Sequence, residues 1–207
     1  MLDLLFRDPL IFAVWVLAIL VALSMHEFSH ALVSYWLGDP TAKRLGRLTL
    51  NPLAHVDLLG LAMLVVIGFG WGKPVPFNPY NLRAKKWGQV LVALAGPAMN
   101  LCGAVIFAGI FRLVAPLVSP ANLLVQFLML SVFLNTGLLL FNLIPLPPLD
   151  GSKVLLAVLA ARRYTAAKNF LESRGPYILL GLIFADLVLN LNVFGGLFRG
   201  IMYLASW

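Results

Sequence analysis

Three residues near the end of the first apolar stretch have the types and spacing of a hydrolytic metal site: His26, Glu27 and His30, in the pentapeptide HEFSH. Residues four apart share a helix face, so two imidazole nitrogens can meet one Zn²⁺. The adjacent Glu27 can reach a water on that ion as general base. The chain holds three His and two Glu in all, and three of these five sit within five positions. An ionisable group at mid-bilayer costs at least ~2.5 kcal/mol, which favours a functional reading over helix-to-helix hydrogen bonding.

Two histidines leave the site one ligand short, because catalytic zinc commonly takes three protein ligands and keeps one position for water. The candidates weighed for the third place are His55, Asp57, Asp150 and Asp186. Asp150 lies in PLPPLDG, after a long apolar stretch, where prolines interrupt the helix and Gly151 permits an unusual backbone. Asp186, deep in the last span, reads as a partner for Asn190 or Asn192. His55 and Asp57 read as loop groups, with a second ion or substrate steering as the alternative. Asn78 and Asn100 either brace the site or satisfy loop and helix-end groups.

These donors need elements to hold them, and composition says what kind. A mean hydropathy of +0.95, with 61% hydrophobic and 11% charged residues, describes a chain solvated by lipid. The expected class is an all-α polytopic membrane protein, one domain over residues 1–207. Four stretches are long enough to cross, residues 9–37, 89–115, 121–149 and 176–203. Residues 58–71 are too few to span a ~30 Å core at ~1.5 Å per residue, and read as re-entrant or partial. Residues 9–25 run into HEFSH without a small-residue cleavage site, so they read as a mature span rather than a signal peptide. Trp15, Trp36, Trp71, Trp87 and Trp207 read as interface anchors. Cys102, the single cysteine, excludes an internal disulfide and a cysteine zinc cage.

The net charge of +7 would suggest nucleic acid in a soluble protein. Here twelve of the fifteen Lys and Arg residues fall in the loop 38–88 and the segment 150–175. That asymmetry fits cytoplasmic loops, not a nucleic-acid surface, and places both termini outside. It also supplies a depth test. A carboxylate ending a later span meets His26 only if that span runs in the same direction, which holds for the span before Asp150 when 58–71 turns back. Short extended edges are expected in the first loop, at 47–51 and 73–77, where an unwound substrate could add as a strand.

HEFSH in an apolar span, GPAMN at 96–100 and NLIPLPPLDG at 142–151 occur in an order that resembles the site-2 protease family of intramembrane zinc metalloproteases. The resemblance covers essentially the whole chain. It implies that His26, His30 and Asp150 bind one Zn²⁺, that Glu27 is the general base, and that Asn142 helps hold the substrate or its oxyanion. The stretch LTLNPLAHVD followed by FGWGKPVPFNP resembles the compact prokaryotic branch without PDZ or CBS domains. The implied activity is regulated intramembrane proteolysis of single-pass or membrane-anchored proteins in a prokaryotic cell membrane, by a monomer or an oligomer.

Two other classes compete. A metal-binding transporter or non-catalytic scaffold should show paired halves and a polar path, and no repeat is visible. A serine intramembrane protease needs a serine in a strained glycine setting with a histidine partner, whereas the sole Gly-Ser pair, Gly151-Ser152, directly follows Asp150.

Overall fold

In a computed structural model, which describes residues 2–67, 70–189 and 196, the chain is helical, and the described residues include no β-strand. A short helix α1 (Leu2–Arg7) leads into α2 (Pro9–Trp36). Asp8 caps α2, its Oδ1 accepting from Ile11 N at 3.1 Å, and Pro9 at the first turn lacks the N–H that would otherwise go unpaired. After α3 (Thr41–Arg44) and α4 (Leu58–Ile67) come two long helices, α5 (Lys85–Val114) and α6 (Leu123–Asn142). The chain continues with α7 (Gly151–Val158) and α8 (Thr165–Leu189).

Helices α2, α5 and α6 pack on one another, and each is long and apolar enough to cross a membrane. Their packing reverses the pattern of a soluble core. Small residues face inward, among them Ala18, Ala22, Ala31, Ala93 and Ala104, while Leu17, Leu91, Val105, Ile106 and Leu124 are exposed. Lipid is as apolar as leucine, so burying leucine gains little there. Close backbone approach and buried polar contacts hold the bundle instead.

The directions of the three helices follow from side-chain contacts. His30, near the C-terminal end of α2, reaches Val92 in the first third of α5. Asn100 of α5 meets Asn135 near the C-terminal end of α6. Helix α5 therefore runs antiparallel to α2, and the short turn from Val114 to Leu123 sends α6 back along α5, so α2 and α6 end on the same side, as the depth test requires. Arg83 N donates to Leu37 O at 2.9 Å, so the chain returns to α5 at the level where it left α2. Within that loop the bridge between Val56 and Gly72, and the bond from Lys73 N to His55 O at 2.8 Å, join the two ends of the 58–71 segment. That segment holds a ten-residue helix and comes back to where it began.

Several boundaries differ from the sequence expectation. Helix α5 starts four residues early and takes in Lys85, Lys86 and Trp87. Helix α6 stops at Asn142 because IPLPP cannot continue it. The expected fourth span begins inside α8, and its part at 190–195 and 197–203 lies outside the described residues, as do Asn190, Asn192 and Trp207. The expected extended edges are not strands. In the 73–77 stretch, Lys73 N and Val75 N are both bonded to other groups and Pro74 and Pro76 have no N–H, so 73–76 retain only carbonyls for a further strand. Gly151 is required for a different reason than expected. It is the first residue of α7, and a Cβ there would collide with the Leu143 carbonyl and lie 2.8 Å from Ile144 O.

Candidate functional site

The HEFSH turn of α2 is buried, with His26 5%, Glu27 9% and His30 9% exposed. One helical turn puts both imidazoles against α5. There, Gly96 leaves the space they occupy, for a Cβ on it would lie 2.5 Å from His30 Nε2 and 2.6 Å from His26 Nε2.

Each ring is turned by a bond at its far nitrogen. His30 Nδ1 lies 2.7 Å from Val92 O, and a carbonyl can only accept, so that nitrogen carries the hydrogen. His26 Nδ1 donates to Asn100 Oδ1 at 2.5 Å. The Nε2 lone pairs of both rings are thereby aimed at a common point, the arrangement that outer partners impose on metal-binding histidines.

The loop after α6 carries Asp150 to that same point. Its Oδ2 lies 3.1 Å from His26 Nε2 and 3.2 Å from His30 Nε2, and the two Nε2 atoms are 3.0 Å apart. Oδ2 is enclosed and receives no hydrogen bond. Three acceptors thus face one another at contact distance. One added proton would relieve only part of that repulsion, whereas a cation among them relieves all of it. Tetrahedral ligands 2.0–2.1 Å from zinc stand about 3.3 Å apart, close to the spacing seen. Two imidazoles and a carboxylate are a donor set that suits zinc. Among the described residues, His26, His30 and Asp150 form the group of metal-capable side chains that can share an ion.

Glu27 is oriented by the loop. Its Oε2 accepts from Val75 N at 2.9 Å. The 73–75 strand of chain that supplies this donor is itself held by Arg47, whose guanidinium donates to Pro74 O at 3.2 Å and to Lys73 O. His55 belongs to the same support. It is fully buried, with Nε2 2.8 Å from Thr49 O and Nδ1 beside Arg47. The structure places His55 in the loop's hydrogen bonding and outside the group His26, His30 and Asp150. Asp57 caps α4 through Gly60 N at 2.8 Å.

Asn78 anchors the far end of the 73–77 stretch. Its N–H donates to Asp39 Oδ2 at 2.6 Å and its Oδ1 accepts from Tyr80 N. Asp39 also accepts from Thr41 and from Asn81 Nδ2. Burial alone would raise the Asp39 carboxyl, and these donors outweigh it and hold the group below its ordinary value. Asn142, half-buried at the end of α6, donates Nδ2 to Leu138 O at 3.1 Å.

Of the asparagines weighed from the sequence, Asn100 is therefore the one in contact with a residue of this cluster. Gly96, the Val92 carbonyl and Asn135 were not foreseen. A signal for one of them was present, since Gly96 is four residues before Asn100 and shares its face of α5.

Comparison with known proteins gives the family. The model of the family described as Peptidase family M50 matches residues 108–185, which include Asn142 and Asp150. The chain is 36% identical over 206 residues to "Putative zinc metalloprotease YwhC" of Bacillus subtilis, covering 90% of this chain and 93% of that protein. It is 33% identical over 213 residues to "Putative zinc metalloprotease Rip2" of Mycobacterium tuberculosis, covering 95% of this chain and 75% of that protein. Rip2 of Mycolicibacterium smegmatis is 36% identical over 142 residues. No solved structure matches. With identity of that extent along nearly the whole of a relative's length, this chain belongs to peptidase family M50, the site-2 protease family.

Proposed function

We propose that the protein is an intramembrane zinc metalloendopeptidase that hydrolyses peptide bonds in or near the transmembrane segments of membrane-anchored proteins. The observation that carries this reading is the convergence of His26 Nε2, His30 Nε2 and Asp150 Oδ2 within a bundle of apolar helices.

His26, His30 and Asp150 would hold a Zn²⁺, which would supply Lewis acidity towards a water and a peptide carbonyl. Glu27 acts as general base. Its Oε2 is fixed by Val75 N–H, which leaves Oε1 to take the proton of the attacking water and pass it to the leaving amine. Asn142 Nδ2 has a second hydrogen beyond the one given to Leu138, and we assign it to the substrate carbonyl or oxyanion.

The basic loops support a site that opens to the cytoplasm, with both termini outside and a fourth span that begins within α8. Segment 58–71, whose ends meet, is read as re-entrant. The apolar setting supports substrates that are themselves membrane-anchored, as in regulated intramembrane proteolysis, and oligomers are compatible with it.

The test compares zinc content and cleavage of a single-pass model substrate for the wild type and Glu27→Gln. Glu27→Gln should keep zinc and lose cleavage. Unchanged cleavage removes Glu27 from the mechanism, and absence of zinc from the wild type removes the metal site.

A further inference from the structure

Three buried side chains from three helices are joined in one directed chain of hydrogen bonds: His26 on α2, Asn100 on α5 and Asn135 on α6. Asn135 is fully buried, and its amide contacts the Ser131 carbonyl at 2.8 Å. A carbonyl only accepts, so the atom facing it is Nδ2, and Oδ1 must point the other way. There it accepts from Asn100 Nδ2 at 2.9 Å. The other Nδ2 hydrogen of Asn100 faces Ala22 O at 3.4 Å. Both donors of the Asn100 amide are thus committed, and Oδ1 is the atom left for His26 Nδ1, at 2.5 Å.

We propose that Asn135 is a positioning residue for the metal site: it fixes the orientation of the Asn100 amide and through it the His26 tautomer that presents a lone pair at Nε2. The inference rests on the reading of His26 as a zinc ligand. A rotated Asn100 amide would offer N–H to His26 Nδ1. The ring would then have to accept there and carry its hydrogen on Nε2, where zinc needs the lone pair. Inside an apolar bundle no water competes for either amide, so the Ser131 carbonyl decides the direction of the whole chain. Helix α5 is shaped for it, since Gly103, three residues after Asn100, leaves the space of Asn135 Oδ1. A Cβ on Gly103 would lie 2.7 Å from that oxygen.

The test measures zinc affinity of the full-length, detergent-solubilised protein by competition with a chromophoric chelator, in a Glu27→Gln background so that turnover plays no part. Loss of an outer partner of a metal-binding histidine typically weakens the metal 10–100-fold, and Asn135→Leu is expected to weaken zinc about tenfold. Asn135→Asp keeps an oxygen towards Asn100 and should bind close to the parent. In Asn100→Asp either oxygen accepts from His26, so adding Asn135→Leu there should cost no further affinity, a coupling that general destabilisation would not produce. If Asn135→Leu does not fold, Asn135→Ser, whose hydroxyl is too short to reach Asn100, is measured in both backgrounds instead. Unchanged affinity of the truncated variant, or the same loss in both backgrounds, overturns the proposal. A parent protein that takes up no zinc overturns the underlying site reading instead.

Discussion

Replacing Gly96 by alanine tests the whole site with one methyl group. The added Cβ would stand 2.5 Å from His30 Nε2 and 2.6 Å from His26 Nε2, where ordinary contact begins at 3.4 Å. Both rings must therefore retreat, His30 by 3.4 − 2.5, or 0.9 Å, and His26 by no less, its Cε1 being nearer still. The retreat cannot come from the far side, because the Val92 carbonyl and Asn100 amide hold the opposite nitrogens at 2.7 and 2.5 Å. A displacement near 1 Å far exceeds the ~0.2 Å tolerance of a zinc-ligand distance. Misplacement of that size costs on the order of 10²-fold in rate, and overpacking of this kind destabilises a fold by about 1–3 kcal/mol. Zinc content by mass spectrometry and cleavage of a single-pass substrate give the readouts. Gly109→Ala, on the same helix with nothing within 4 Å of its Cβ, is the control and should behave as wild type. Full zinc and full activity in Gly96→Ala would show that the two rings are not confined as described, and the site argument would fail with it.

Two further predictions concern the loop that supports Glu27. Arg47→Met removes the part-buried hydrogen bonds to the Lys73 and Pro74 carbonyls, at about 1 kcal/mol each. Thermal unfolding should fall accordingly and kcat should drop as Val75 releases Glu27, with Arg47→Lys intermediate because it lacks the guanidinium fork. An Arg47→Met protein with wild-type Tm and kcat would remove the loop from the mechanism. Asp39 predicts a pH dependence. Its carboxyl lies below the ordinary 3.8 in the folded chain, so the folded state binds fewer protons and stability rises with pH through that interval. The advantage of wild type over Asp39→Asn should be complete above the ordinary value and disappear as pH falls through the depressed one. A Tm difference that stays constant across this interval would contradict it.

What could be read from residues alone was what local spacing encodes. HEFSH places its two histidines by helix geometry, and the length of 58–71 excludes a straight crossing, so the common direction of α2 and α6 follows and Asp150 is selected. The supports of the site depend on which faces of distant helices meet, and periodicity does not report that. Asn100 was weighed only as a bracing group, because its importance comes from His26, 74 positions away. Gly96 is needed for the space it leaves, and an absent side chain is legible only beside its neighbours. The 73–77 stretch looked like a free edge because its composition is extended, yet its amides are occupied by His55 and Glu27.

The bond between Arg83 and Leu37 makes residues 38–82 a closed excursion. Whatever depth this excursion reaches, it adds an even number of passages through the plane of the bundle, so it leaves the parity of the chain unchanged. The side on which α6 delivers Asp150 is therefore insulated from the excursion's length and sequence. Loop residues outside the Arg47, His55 and Val75 support of Glu27 can diverge or lengthen without separating the two halves of the ligand set, while one additional crossing inserted elsewhere between His30 and Asp150 would place them on opposite faces.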